Sequence, residues 1–144
     1  MTADPVVNLA SAADAVQIAE MSRDHIEFGL GWRYTPARIL HAIRDPDSNV
    51  VVVHDGGAVA AFGIMVYNEH HAHLSLLAVH PVYRRQRMAS ALLAWLEQAA
   101  RVGGAERILV ECRRTNAPAR YLYLEHGYHE RRIEAGMYRG QEDG

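Results

Sequence analysis

The sequence contains no lysine: all 15 of its basic residues are arginine, they stand against 17 acidic residues, and the net charge is −2. A general nucleic-acid binder usually has a broad basic surface and a high isoelectric point, whereas the isoelectric point of this chain is about 6.5. We therefore do not expect nucleic acid as a partner. The single cysteine, Cys112, excludes an internal disulfide and a zinc site built from cysteines.

The sequence also lacks a long apolar run and a convincing set of metal ligands. No window offers the roughly 20 apolar residues of a membrane span, and the N-terminal segment lacks the basic and apolar regions of a signal peptide. We therefore expect a cytoplasmic protein without a membrane anchor. His126 and His129 are expected at the surface. A second group of histidines has no acidic or cysteine partner at metal-binding spacing apart from Glu69, so no metal site is expected there: His70, His71, His73 and His80.

The length and the composition are those of one ordered globular domain. The chain has 144 residues, of which 49% are hydrophobic and 22% are charged. A chain of this length buries roughly two-thirds of its unfolded surface, so it folds without a disulfide or a metal. We expect a single domain over residues 1–144.

Turn and cap signals divide the chain into short elements. Thr35 and Pro36 are typical of a helix start, Asp55 and the two glycines after it of a hairpin turn, and the glycine pair at 103–104 of a helix end. The predicted order is β-α-α-β-β-β-α-β-α-β-β. Apart from the first strand at 4–10, the strands are predicted at 49–54, 58–68, 72–79, 107–112, 128–133 and 137–140.

This order predicts the fold class. Three strands between residues 49 and 79 form an antiparallel meander, and the helix at 88–101 then crosses over to a strand that lies parallel to the third. We expect an α+β sandwich, with a mixed, mainly antiparallel sheet, one parallel βαβ crossover and flanking helices. The crossover helix has one predicted apolar face, formed by Met88, Ala91, Leu92, Trp95 and Ala99.

An arginine run stands immediately before the crossover helix, at Arg84, Arg85 and Arg87, with Gln86 between them. A helix N-terminus carries unpaired N–H groups and about half a positive charge, which makes it a ready anion site. The pattern therefore favours a phosphate or pyrophosphate ligand at this turn. A solvated basic loop is the alternative interpretation.

The same stretch, "VHPVYRRQRMASALLAWLE", resembles motif A of the GNAT N-acetyltransferase superfamily, with Arg84 in its first position and Ala89 in its last. The later stretch "NAPARYLYLEHGY" resembles motif B of that family. Its matching positions have the family's spacing and are Asn116, Ala119, Tyr123, Gly127 and Tyr128. The two motifs also lie at the expected distance from each other and in the expected strand–helix contexts.

The resemblance implies acetyl-coenzyme A as the acetyl donor. The backbone of Leu77, Ala78 and Val79 would pair with the pantetheine arm as though it were an extra strand. Asn116 would hydrogen-bond the arm, and Tyr123 would approach the sulfur. Together with Arg84 and Ala119, the implied donor site includes the residues whose N–H groups would hold the pyrophosphate: Arg85, Gln86, Arg87, Met88, Ala89 and Ser90.

Arg87 departs from the family pattern, which has glycine at this position. Glycine allows a close backbone approach to the pyrophosphate and often an unusual backbone conformation. A Cβ here costs about 1–2 kcal/mol if φ is positive. The arginine offsets this cost if its guanidinium pairs with a phosphate oxygen, and the opposite interpretation is that the site has been lost.

Acetyl transfer to an amine needs a base and an acid at the thioester. Tyr123, the motif B tyrosine, is the candidate acid, and a packed aromatic is its structural alternative. Glu111 interrupts an apolar strand, where a carboxylate is costly unless it is paired or functional, so it is the candidate base. An ion pair with Arg113 or Arg84 is the alternative for Glu111. The stretch "VECRRTNAPARYLY" is similar to bacterial ribosomal-protein N-terminal alanine acetyltransferases, in which these two positions are base and acid.

The sequence therefore predicts an acetyl-CoA-dependent N-acetyltransferase that transfers the acetyl group to a primary amine by direct attack in a ternary complex. A protein N-terminus, a small amine and an aminoacyl-tRNA are the acceptors considered, and pairing of the final strands into a homodimer is left open. Trp32, Arg33 and Tyr34 lie where family members build the acceptor side, or they form a plain interhelix loop. The alternative function is a catalytically weak acetyl-CoA-binding protein that acts through a partner.

Overall fold

The computed structural model describes residues 5–27, 29–84, 87–113, 116–134 and 137–143, and only the backbone of residues 111, 113, 130–134 and 137–143. Two single turns of 3-10 helix, Ala12–Asp14 and Pro81–Tyr83, accompany the longer elements. The helices are α1 Ala15–His25, α2 Pro36–Arg44, α3 Met88–Val102 and α4 Ala117–Glu125. The strands are β1 Asn8–Leu9, β2 Ser48–Asp55, β3 Ala58–Tyr67, β4 His71–Val79, β5 Arg107–Arg113, β6 His129–Glu134 and β7 Met137–Asp143.

The strands form one mixed sheet in the order β1-β2-β3-β4-β5-β7-β6. The first four strands pair antiparallel, β4 and β5 pair parallel across α3, and the last three pair antiparallel. The predicted fold class, meander and crossover are confirmed. The position of β7 between β5 and β6 was not part of the prediction. Among the described residues, no helix is long and apolar enough to cross a bilayer.

Local signals determine where the helices begin and end. The Thr35 hydroxyl accepts from the N–H of Arg38 at 3.4 Å, and Pro36 occupies the first helical position of α2, where its missing N–H costs nothing. The Asn116 side chain caps α4 in the same way, by accepting from the N–H of Ala119 at 3.2 Å. After α4, Gly127 takes a φ of +89°, which glycine adopts without a steric cost.

Two hydrophobic cores lie on opposite faces of the sheet. The first lies under α3 and α4, and the second lies under α1 and α2. The largest fully buried side chains of the first core are Tyr128, Met65, Leu74, Leu92, Leu93, Leu96 and Val51, and those of the second are Phe62, Ile18, Ile39 and Ile64. Each pair of helices therefore packs on its own hydrophobic core, and the sheet separates the two cores.

A one-residue bulge at Ser75 changes which residues of β4 face each hydrophobic core. Ile64 of β3 pairs with Leu76, and the next residue, Met65, pairs with Leu74, so Ser75 is the extra residue. In a regular strand, residues two apart point to the same face. Here Leu74 belongs to the first core and Leu76 to the second. The bulge therefore reverses the alternation over the last four residues of β4.

The buried face of α3 differs from the predicted one. Met88 and Leu92 are buried as expected, but Leu93 and Leu96 are fully buried while Trp95 is only partly buried. The physical reason lies on β3. A Cβ on Gly63 would come within 3.0 Å of a Leu96 methyl, so the missing side chain lets this side of α3 approach the sheet.

Deletion of Ser75 tests the importance of the bulge. Without the extra residue, Met65 and Ile64 can keep Leu74 and Leu76 as their partners in a regular ladder, and each leucine stays in its own core. We therefore expect the deletion to cost less than the roughly 2–5 kcal/mol of a single large-to-small core substitution. Ser75→Ala keeps the bulge and should cost less than about 1 kcal/mol. Urea unfolding followed by circular dichroism measures both, and loss of cooperative unfolding on deletion would contradict this account.

Candidate active site

The parallel ladder between β4 and β5 ends before either strand does. His71 to Leu74 pair with Arg107 to Val110, whereas β4 stays paired with β3 as far as Val79. Beyond Leu74, no described strand pairs with the β5-facing edge of β4. The backbones of Leu77, Ala78 and Val79 therefore line a wedge-shaped opening in the sheet.

Polar contacts hold the connection from the end of β4 to α3. The His80 ring accepts from the N–H of Val82 at 3.3 Å. The Tyr83 hydroxyl donates to the Asp55 carboxylate at 2.7 Å, and this hydrogen bond raises the pKa of Tyr83. His80 also meets the His25 ring edge-on at 5.4 Å, and burial together with His80 lowers the pKa of His25. The connection is thus tied both to the β2–β3 turn and to the end of α1.

Arg87 is the N-cap residue of α3 and adopts the left-handed conformation, with φ +63° and ψ +13°. Among the described residues, no other non-glycine residue has a positive φ. The Arg87 side chain is exposed and makes no capping hydrogen bond. The first helical turn thus keeps its N–H groups without intrahelical acceptors until Ala91, which donates to the Arg87 carbonyl at 3.0 Å.

The other predicted residues of this turn divide into three groups. Arg85 and Gln86 lie outside the described residues. Arg84 is exposed, directly after the single turn Pro81–Tyr83. The remaining positions lie on the first turn of α3, where Met88 is buried in the first core and the other two are partly exposed: Ala89 and Ser90. Their N–H groups, rather than their side chains, are available to an anion.

Tyr123 is buried in the first core, on the helix that follows β5. Its ring meets Tyr128 edge-on, with 5.7 Å between the centroids, and the Tyr128 N–H donates to the Tyr123 carbonyl at 3.0 Å. Ala119, one turn earlier, packs against the same core. Asn116 is exposed, and its carbonyl oxygen is engaged in capping α4.

Glu111 lies at the apex of the wedge. It directly follows Val110, the last β5 residue paired with β4, and on its other edge it pairs with Arg139 of β7. The side chain of Glu111 lies outside what the structure describes. Its backbone lies beside the point where the two parallel strands separate.

A buried polar cluster that the sequence did not indicate joins α3 to the end of α4. Glu97 is buried on α3 and accepts from the Tyr128 hydroxyl at 3.1 Å. The His126 ring lies between Ser90 and Glu97, 3.3 Å from the serine oxygen and 4.0 Å from the nearer carboxylate oxygen. His129 is exposed as expected, whereas His126 is only partly exposed, because this contact covers most of its side chain and leaves 26% of it exposed.

Side-chain hydrogen bonds hold the segment between α1 and α2 in place. The Trp32 indole N–H donates to the Ala19 carbonyl of α1 at 3.2 Å. The backbone N–H groups of Arg33 and Tyr34 donate to the carboxylate of Glu27. The interpretation of residues 32–34 as a plain interhelix loop is therefore incomplete, because these contacts fix the positions of all three residues.

Comparison with known proteins identifies the family. A sequence profile described as the acetyltransferase (GNAT) family matches residues 16–128. Because this match covers most of the chain, the protein belongs to that family, and the resemblance of the two motifs is confirmed. Among curated protein sequences, none matches the chain significantly.

Solved structures of the same fold include several N-acetyltransferases. The PaiA N-acetyltransferase of Thermoplasma acidophilum, solved with coenzyme A, has 14% identity and a TM-score of 0.85, covering 99% of this chain and 100% of that one. For the ribosomal-protein-S18-alanine N-acetyltransferase of Escherichia coli the values are 21%, 0.78, 96% and 92%. For yncA of Salmonella typhimurium, solved with its cofactor acetyl-CoA, they are 16%, 0.82, 98% and 94%. At these identities, the likeness shows the shared fold.

Substitution of Arg87 by glycine tests the backbone strain. A left-handed non-glycine residue costs about 1–2 kcal/mol, and the extra freedom of glycine in the unfolded chain offsets about 0.4–1 kcal/mol of that cost. We therefore expect Arg87→Gly to stabilise the fold by about 0.5–1 kcal/mol in urea unfolding. Arg84→Gly is the matched control, because Arg84 is equally exposed but has a φ of −63° and should lose stability on the same change.

Proposed function

We propose that the protein is an acetyl-CoA-dependent N-acetyltransferase that transfers the acetyl group to a primary amine by direct attack in a ternary complex. The observation that carries the proposal is the wedge between β4 and β5, which lies beside the uncapped N-terminus of α3. The proposed functional unit is the single domain 1–144, and the proposed location of the reaction is the cytoplasm.

The wedge supports binding of the pantetheine arm. The amide groups of pantetheine can pair with the edge of Leu77, Ala78 and Val79 in the way that an added strand pairs with an exposed sheet edge. Such pairing would satisfy backbone groups that the ladder with β5 leaves open. The Asn116 amide nitrogen faces no described acceptor and is the proposed additional contact with the arm.

The first turn of α3 supports binding of the pyrophosphate. Its unpaired N–H groups and the positive end of the helix dipole favour an anion. The backbone of Arg87 already has the conformation that the family's glycine would adopt, so its Cβ does not prevent the turn from forming. Its exposed guanidinium is proposed to pair with a phosphate oxygen, which would offset the strain.

The chemistry assigns one proton to each candidate residue. The acceptor ammonium gives a proton to the Glu111 carboxylate, directly or through a water, and the free amine nitrogen then attacks the thioester carbonyl carbon. As the carbon–sulfur bond breaks, the thiolate takes a proton from the Tyr123 hydroxyl, and the nitrogen releases its second proton, which returns through water to the tyrosine oxygen. The products are an acetamide and coenzyme A, and Glu111 gives its proton to water.

The proposed acceptor is a protein N-terminal amine or a small amine. The fold shared with the S18-alanine N-acetyltransferase supports the first class. Trp32, Arg33 and Tyr34 are proposed to contact the acceptor. The second candidate function, an acetyl-CoA-binding protein with weak catalysis, is favoured by the arginine at the motif's glycine position.

Titration of acetyl-CoA into the protein tests the donor site. We expect the parent chain to bind and Arg87→Ala, which keeps the strain and loses the charge, to bind about tenfold more weakly, since one charge-assisted hydrogen bond contributes about 1.5 kcal/mol. Calorimetry gives the affinities. Much tighter binding by Arg87→Gly than by the parent would show that the arginine obstructs the site. If neither the parent nor Arg87→Gly binds acetyl-CoA, the proposed function is excluded.

Substitution of the proposed acid and base tests the chemistry. Tyr123→Phe and Glu111→Gln should each lower kcat by about 10²-fold or more in a thiol-release assay, because each removes one proton transfer, while acetyl-CoA affinity stays within about twofold. Tyr121→Phe is the control, because Tyr121 lies on the same helix but is exposed. Equal rates for Tyr123→Phe and Tyr121→Phe would rule out Tyr123 as the acid.

A further inference from the structure

Glu27 is a buried carboxylate that the proposed chemistry does not use. It lies just after the end of α1, and only 8% of its surface is exposed. A buried charge is costly unless hydrogen bonds satisfy it. The structure therefore needs partners for this carboxylate, and those partners show what the residue does.

The hydrogen-bond partners of Glu27 lie both before it and after it in the sequence. Its carboxylate accepts from the backbone N–H of Arg33 at 2.6 Å and from that of Tyr34 at 3.2 Å. On the helix side it accepts from the Ser22 hydroxyl at 2.8 Å. Hydrogen bonds to an ionised carboxylate are roughly twice as strong as neutral ones. The backbone N–H of Glu27 also donates to the Ser22 carbonyl at 2.7 Å, so Glu27 is anchored to the end of α1 and clamps the backbone of residues 33–34 to it.

The backbone angles and aromatic contacts of the rest of the segment are compatible with this clamp. Gly29 and Gly31 have φ values of +80° and +86°, which let the chain turn sharply before Trp32. The Arg23 guanidinium lies over the Trp32 ring at 5.2 Å, and that of Arg38 lies over the Tyr34 ring at 4.3 Å. The two aromatic side chains are therefore held from both helices.

The clamped segment packs against the same core as the end of β4. The end of α1 contacts the end of β4 through the His25 and His80 rings. Tyr34 packs against the second core, which also contains Leu76 and the partly buried Ala78 of β4. The segment therefore lies on the α1–α2 face of the sheet, whereas the proposed pyrophosphate site lies on the α3 face. This arrangement leaves the α1–α2 face to the acceptor.

We propose that Glu27 is a positioning residue for the acceptor: its carboxylate holds the backbone of Arg33 and Tyr34 so that the segment 32–34 presents a preformed binding surface. This inference rests on the proposed function. It predicts that the hydrogen bonds of Glu27 to the segment affect acceptor binding, whereas its hydrogen bond to Ser22 affects stability alone.

The test compares Glu27→Gln with Ser22→Ala. The glutamine loses the charge and places an amide N–H₂ group against backbone donors, whereas the alanine removes only the helix-side hydrogen bond. With a hexapeptide bearing a free N-terminal alanine and with benzylamine as acceptors, thiol release gives KM and kcat. We expect Glu27→Gln to raise the acceptor KM about tenfold with kcat within threefold, and Ser22→Ala to leave both unchanged. Acetyl-CoA affinity should be unchanged in both variants.

Gly31→Ala provides a second, independent perturbation. Its Cβ meets nothing within 4 Å, but the positive φ makes it strained, so it disturbs the segment without touching the buried carboxylate. We expect the same selective rise in KM, even if Glu27→Gln fails to fold.

The possible results distinguish failure of the positioning role of Glu27 from failure of the proposed enzyme function. An unchanged acceptor KM in Glu27→Gln or in Gly31→Ala would overturn the positioning role, as would equal changes in acceptor KM and acetyl-CoA affinity. If the parent chain releases no thiol with either acceptor, the proposed enzyme function with these amines fails, and the positioning role of Glu27 fails with it.

Discussion

The extra residue at Ser75 is the constraint on which the rest of the site depends. The bulge shifts the alternation of β4 by one residue, so that Leu74 faces the first core and Leu76 faces the second. The parallel ladder with β5 ends at the residue just before the bulge. Buried backbone groups need partners, so the edge of β4 beyond that point must be satisfied by water or by a ligand with its own amide groups. The opening is thus a direct product of the sheet geometry.

Local chemistry explains what could be predicted from the sequence. Thr35 and Pro36 mark a helix start because a side-chain oxygen or a missing N–H matters only at those positions. The positive φ considered for Arg87 also follows from a local rule, since the motif has glycine there. These signals gave the order of elements, the parallel crossover and the turn that precedes α3.

Non-local contacts explain what could not be predicted. Ser75 carries no glycine or proline signal, because a bulge arises from the pairing of two strands. The buried face of α3 depends on the space left by Gly63 on another element. Glu27 resembles an ordinary charged residue at a helix end, and its partners come six and seven residues later in the chain. A carboxylate on the buried face of a helix, as at Glu97, is a signal that a closer reading of the periodicity could have found.

Within the described part of the chain, three carboxylates are buried, and each joins two pieces of structure. Asp14 binds His54 of β2 at 2.7 Å and the N–H of Ser11, and although burial raises the pKa of Asp14, these hydrogen bonds lower it below its usual value. Glu97 and Glu27 are satisfied in the same manner. Removing one hydrogen-bond partner of such a buried carboxylate lowers the stability of the fold by more than the hydrogen bond alone, because the remaining charge is left unpaired.

The presence of two separate cores has a consequence for evolution. Substitutions at sites that share no partners tend to act additively, and the sheet separates the side chains of α1 and α2 from those of α3 and α4. The layer that would receive the acceptor can therefore change its side chains while the layer that would hold the donor keeps its own. A fold divided in this way can acquire new acceptors one substitution at a time, without rebuilding the machinery for its common donor.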